Sequence, residues 1–208
     1  MGASDQKTAE PLRHYMRIYR ELDPHEIARR CSIEFDHEKS AFSLRLMGTG
    51  YYASFPEFAL ISADGEHDAH VYETILLLRY LCEGKLLPPH GKQLSYNEIP
   101  WGEVYYRNFE GRCLRRFALA FGRDVPAFAK MIGQNPRLGA VPVSKGDAAY
   151  RIEFINGLFI TVILWQGDDE FPPSSQILFD DNFVFAFTAE DIAVVGDVLI
   201  NRLKAMLP

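Results

Sequence analysis

Cysteine is scarce in this chain. Three residues, Cys31, Cys82 and Cys113, stand far apart, with no C-x-x-C pair in 208 positions. That spacing speaks against a disulfide framework and a thiolate metal site, and it leaves the thiols as small core fillers. Long apolar runs are also missing: every candidate is interrupted by charge or glycine well short of the ~20 apolar residues a membrane span needs. The opening segment MGASDQKTAEPLRHYM lacks the apolar core of a signal peptide, and Gln6 breaks the N-myristoylation pattern. A cytoplasmic protein with no membrane partner is expected.

Catalytic signatures are absent too. There is no G-x-S-x-G, Ser174 and Ser175 have no recognisable base nearby, and Met47–Gly50 is too sparse for a phosphate loop. No pattern names a cofactor. Positive charge is missing from one long segment. Between Ile152 and Asn201 there is no Lys or Arg, against nine carboxylates: Glu153, Asp168, Asp169, Glu170, Asp180, Asp181, Glu190, Asp191 and Asp197. From Arg107 to Arg151 the balance reverses, with nine Lys or Arg and three acids. Neighbouring segments of opposite sign can attract one another within the fold or face different partners. A net charge of −6 disfavours a nucleic-acid partner.

What is present is core material, since 48% of the residues are apolar and 13% aromatic. The length fits one domain over residues 1–208. Leu12, Tyr15, Met16 and Tyr19 recur at helical spacing. Asp23, Pro24 and Glu26 mark a second helix start with a capping-box pattern. Short β-rich runs from Cys31 to Ala63 predict an antiparallel meander. Residues 68–83 predict a central helix that is apolar nearly all round. Residues 84–103, with Pro88-Pro89, Gly91 and Pro100, predict a long loop. A helix over 104–121 and a shorter one after Asp124 follow. AYRIEFI, LFITVILW, QILFDD and FVFAF then predict strands, with Asn156-Gly157 as a hairpin turn. Thr188 opens a C-terminal helix. The expected class is α+β: antiparallel sheets from an N-terminal meander and C-terminal hairpins, packed with about five helices.

The segment WQGDDEFPPSSQILFD, followed by TAEDIAVVGDVL, resembles the C-terminal signature of a bacterial and archaeal family catalogued as a domain of unknown function. LRYLCEG, FALAFG and KGDAA extend the resemblance over roughly the last two-thirds of the chain. Some members of that family are attached to an iron–sulfur domain. The resemblance therefore implies a prokaryotic protein near redox or metal-cofactor metabolism, with no catalytic residue to carry over.

In the same segment Asp168, Asp169 and Glu170 lie between Trp165 and the stiff Pro172-Pro173. Such acids can bind a cation, sit in water, or pair with arginines on another element. Arg112 and Arg116, one helical turn apart, are the arginines expected to face them. The expected ligand-binding set is thus Trp165, Asp168, Asp169, Glu170, Asp180, Arg112 and Arg116, in a binding or accessory domain for a small molecule or a partner protein. The alternatives are an enzyme using the loop carboxylates, with or without a divalent metal, and an interaction module for a redox protein. His67 and His70, with Asp64, Glu66 and Asp68 near them, form a weaker candidate metal pair.

Overall fold

The computed structural model describes residues 3–65 and 68–207. Its architecture is α+β. Two helices open the chain, α1 (Ala3–Glu21) and α2 (Pro24–Cys31). Asp23 caps α2 by accepting the His25 N–H at 2.9 Å, with Pro24 at the first helical position. The cap uses Asp23 rather than a reciprocal box with Glu26.

The predicted meander forms β1 (Phe35–Asp36), β2 (Ala41–Leu46), β3 (Thr49–Ser54) and β4 (Leu60–Ser62). The C-terminal strands are β5 (Gln93–Ser95), β6 (Val141–Pro142), β7 (Ala148–Ile155), β8 (Leu158–Trp165) and β9 (Ser174–Asp180). Together they make one nine-stranded antiparallel sheet in the order β4-β3-β2-β7-β8-β9-β5, with β1 beside β2 and β6 beside β7. The two groups meet at a narrow seam, where Leu46 pairs with Ile155. The Met47 N–H donates to Phe154 O at 2.9 Å, and an Arg45–Glu153 ion pair at 2.5 Å closes the other side. Asn156-Gly157 turns β7 into β8 as expected, with Gly157 at φ +75°.

One face of β8 presents Leu158, Ile160, Val162 and Leu164, all fully buried in the main core. Its other face carries Phe159 and Thr161, among polar groups from neighbouring strands. α3 (Val71–Glu83) runs through the centre, with Leu76, Leu77, Leu78, Tyr80 and Leu81 buried. The predicted 104–121 helix is α4 (Gly102–Phe109) and α5 (Arg116–Phe121), joined by a π-helical turn over Glu110–Arg115. Its inner stripe of Phe109, Cys113 and Phe117 is fully buried. After α6 (Val125–Gly133) comes a 3-10 turn, Pro136–Leu138.

FVFAF is not a strand: Phe183–Ala186 is the short helix α7. In a strand Phe183, Phe185 and Phe187 would share one face. Instead Phe183 and Phe187 are buried at helical spacing, while Phe185 is 47% exposed. The predicted 84–103 loop contains β5 and a 3-10 turn at Tyr96–Glu98. α8 (Ala189–Ala205) starts at a Thr188–Asp191 capping box. All three cysteines are buried and free, as expected of core fillers. Burial pushes the thiols up, to about 11 for Cys31 and about 12 for Cys82 and Cys113.

Candidate functional site

The acidic loop is held firmly, but not by the expected arginines. Asp168 accepts the N–H groups of Glu170 at 2.9 Å and Phe171 at 2.7 Å. These backbone bonds, Phe171 first, lower its pKa. A Cβ on Gly122 or on Gly167 would stand 2.6 Å from a Pro173 carbon, so the loop seats closely on the end of α5. The Gly167 N–H donates to Gly122 O at 3.3 Å, and Ser175 Oγ donates to Leu114 O at 2.7 Å. Pro173 therefore helps fix the loop, as the sequence suggests.

Arg112 and Arg116 turn instead to α8, where both bond Asp197; Arg116 reaches it at 2.9 Å and also donates to Asn201 at 2.6 Å. The pairing of basic and acidic segments does occur, but the acid that Arg112 and Arg116 take is Asp197 rather than one of the loop. Among the described residues, Asp168, Asp169 and Glu170 form no ion pair. Asp180 is only 5% exposed and pairs with Arg151 at 2.5 Å, and Arg151 stacks 3.7 Å over the Phe159 ring. Asp180 is thus a sheet residue. Its neighbours Asp181 and Asn182 hold the 87–92 segment through His90 N–H at 2.9 Å and Leu87 O at 2.9 Å. The expected binding set is split between the loop, the sheet face and the α8 seam.

No group of three or more His, Cys, Asp or Glu side chains is placed to share a metal among the described residues. His67 and Glu66 lie outside the described residues. His70 caps α3: its Nδ1 accepts the Tyr72 N–H at 3.4 Å, while Glu73 returns a bond to the His70 N–H at 3.0 Å.

A concavity lies elsewhere. A cavity of about 660 Å³ opens between the β2–β3 hairpin, the start of α3, the Gln134–Leu138 segment and the last turn of α8. Met47, Thr49, Tyr51, His70, Arg137 and Arg202 are among its walls. An adjoining hollow of about 380 Å³ shares His70, Glu73, Arg202 and Ala205 and extends to Arg116 and Asp197. Arg116 is therefore the predicted site residue that reaches this cleft. A smaller hollow of about 270 Å³ lies beside Arg79 and Trp101.

Arg202 organises the cleft. Its Nε donates to Glu73 at 2.7 Å, and its Nη2 donates to Glu73 at 3.1 Å and to the Tyr51 hydroxyl at 2.6 Å. Its Nη1 donates to Leu46 O at 3.2 Å and to Thr49 Oγ1 at 3.1 Å. A guanidinium has five N–H donors, and here each finds an acceptor. Burial works against the charge, but the bonds and charge of Glu73 and Tyr51 outweigh it and raise the Arg202 pKa. Burial likewise raises the pKa of the Tyr51 hydroxyl, against the pull of Arg202, so its proton stays on at neutral pH.

Sequence reasoning missed Arg202, Glu73, Tyr51 and Thr49. The three-residue spacing of His70 and Glu73, which form the capping box of α3, is a local signal that could have pointed there. No curated protein and no solved structure matches the chain. Residues 23–202 match the family described as a domain of unknown function, DUF3786, and so span the acidic loop, the arginine seam and Arg202 itself. The chain belongs to the DUF3786 family.

Proposed function

We propose that this chain is a small-molecule binding module whose ligand sits in the Arg202 cleft. A single observation carries the reading: the cavity of about 660 Å³ is walled by polar side chains that a buried ion pair holds in place. Small-ligand sites span about 300–1,000 Å³ and combine apolar walls with a few well-placed polar groups. Met47, Leu138 and Met206 supply apolar wall here; Thr49, Tyr51 and His70 supply polar wall. Because Arg202 ties the C-terminal helix to α3 and to the N-terminal meander, the chain would act as one domain.

Ala205 is exposed and lines both hollows, so Ala205→Trp would fill the cleft with little change to the core. A mixture of polar metabolites should raise the melting temperature of the native protein and shift amide resonances around the cleft. The same mixture should leave the Ala205→Trp variant unmoved. Equal responses from both proteins would place the binding elsewhere and end the proposal.

A second reading is docking of a partner protein on the acidic loop. It is favoured by Phe171, which is 67% exposed, and Trp165, 40% exposed, on a loop held by its own bonds. Phe171→Asp should then lower affinity for a purified candidate partner while cleft binding stays intact; unchanged affinity removes the loop from the interface.

A further inference from the structure

Resting on the cleft reading, we infer that the ligand carries an oxyanion, a carboxylate or a phosphate, received by hydrogen-bond donors around Arg202 rather than by Arg202. The guanidinium itself has no donor left to offer, since Glu73, Tyr51, Thr49 and Leu46 take all of its N–H groups. That saturation determines which way the neighbouring hydroxyls can work. Tyr51 and Thr49 each accept a guanidinium N–H through oxygen, so the hydroxyl protons remain to be given. Among the described residues neither hydroxyl has an acceptor, although Tyr51 is 1% exposed and lines the cavity. A buried hydroxyl proton without an acceptor is costly, and a ligand oxygen would remove that cost.

His70 adds a third donor. Its Nδ1 accepts the Tyr72 N–H, so the neutral ring carries its proton on Nε2. Arg137 adds a fourth from the mouth: its side chain is 78% exposed, and its ion pair with Asp64 at 3.5 Å leaves other N–H groups of the guanidinium to donate.

The acceptors on the same wall are mostly spent. Glu73 takes two bonds from Arg202 and one from the His70 N–H. Asn135 donates its amide to Met131 O at 2.7 Å and keeps its carbonyl, and Asp68 is an exposed carboxylate at the rim. Donors therefore dominate the polar wall around Arg202, while the rim carries both signs, Arg137 paired with Asp64 and the Asp68 carboxylate beside them. An ionised carboxylate or a phosphate dianion offers only acceptors and makes the stronger, charge-assisted bonds. An ammonium ligand would meet donor against donor at Tyr51, Thr49 and His70.

The test uses the intact chain with inorganic phosphate and citrate as separate probes, each against sodium chloride at matched ionic strength. Saturable shifts of the His70 ring and Arg137 side-chain resonances are expected with one or both probes, and which probe binds tells phosphate from carboxylate chemistry. Arg137→Ala should weaken that binding about tenfold, the loss of one charge-assisted hydrogen bond. Asp68→Asn should tighten it, and Ala205→Trp should abolish it. If neither oxyanion binds, while a neutral or cationic metabolite binds and is blocked by Ala205→Trp, the oxyanion inference is overturned and the cleft survives. If no compound of any class distinguishes native protein from Ala205→Trp, both fall.

Discussion

Arg202 near the end of α8 and Glu73 in the first turn of α3 meet through two parallel hydrogen bonds of 2.7 and 3.1 Å. Their side chains are 15% and 9% exposed, so the pair is largely withdrawn from water. Each charge also suits its helix end, an acid near an N-terminus and a base near a C-terminus. Removing one partner strands the other. Arg202→Met should destabilise the fold by about 3–5 kcal/mol, whereas Arg202→Met with Glu73→Met should recover much of that loss. Urea titrations of the native protein, the two single variants and the double variant would measure the cycle. Additive losses would mean that the two charges do not depend on each other.

The buried thiols give the fold a predictable alkaline limit. Cys31 is raised from 9.0 to about 11 and Cys113 from 9.0 to about 12, in both cases chiefly by burial. A raised folded pKa means that the folded state keeps a proton which the unfolded chain releases. Stability is therefore intact below pH 9 and declines as pH rises through 9 towards 11 and 12. Each such thiol contributes a slope of about 1.4 kcal/mol per pH unit within its window. Urea midpoints at pH 8, 9 and 10 should fall steadily for the native chain and less for Cys31→Ala/Cys113→Ala. Parallel profiles would show that these thiols are not the cause.

At Gly196 α8 packs tightly against Cys113 of the π-helical turn. A Cβ there would lie 2.6 Å from Cys113 Sγ and 3.2 Å from a Phe109 ring carbon. Despite alanine's better helix propensity, Gly196→Ala should cost about 1–3 kcal/mol, because the fully buried Cys113 and Phe109 have little room to yield. Cys113→Ala in the same chain should restore part of the loss. Thermal melts of both variants settle the point, and a neutral or stabilising Gly196→Ala would contradict the contact.

The parts that the sequence makes legible are those with near neighbours as partners. Asn156-Gly157 turns a hairpin between adjacent strands, and Thr188 caps with Asp191 three positions on. The cleft has no such trace. Arg202 reaches across 129 residues to Glu73, 151 to Tyr51, 153 to Thr49 and 156 to Leu46. No periodicity encodes distances of that kind. The acidic motif stood out by composition, yet Asp168 draws its partners from its own backbone and Asp180 draws Arg151 from the strand beyond β8. FVFAF misled because its aromatics favour strands singly, while burial of Phe183 and Phe187 requires a helical turn.

The placement of Asp197 separates two explanations of the charge pattern that begins at Arg107. Asp197 is 14% exposed by side chain and takes bonds from both Arg112 and Arg116. Asp169 and Glu170 are exposed and pair with no arginine among the described residues. Asp197→Ala removes an acceptor shared by two guanidinium groups and should cost about 1–3 kcal/mol. Asp169→Asn with Glu170→Gln should stay within about 0.5 kcal/mol of the native protein, as is usual for exposed positions without partners. The opposite ranking in urea denaturation would mean that the arginines serve the loop after all, and that the seam between α8 and the π-helical turn is held by packing rather than by charge.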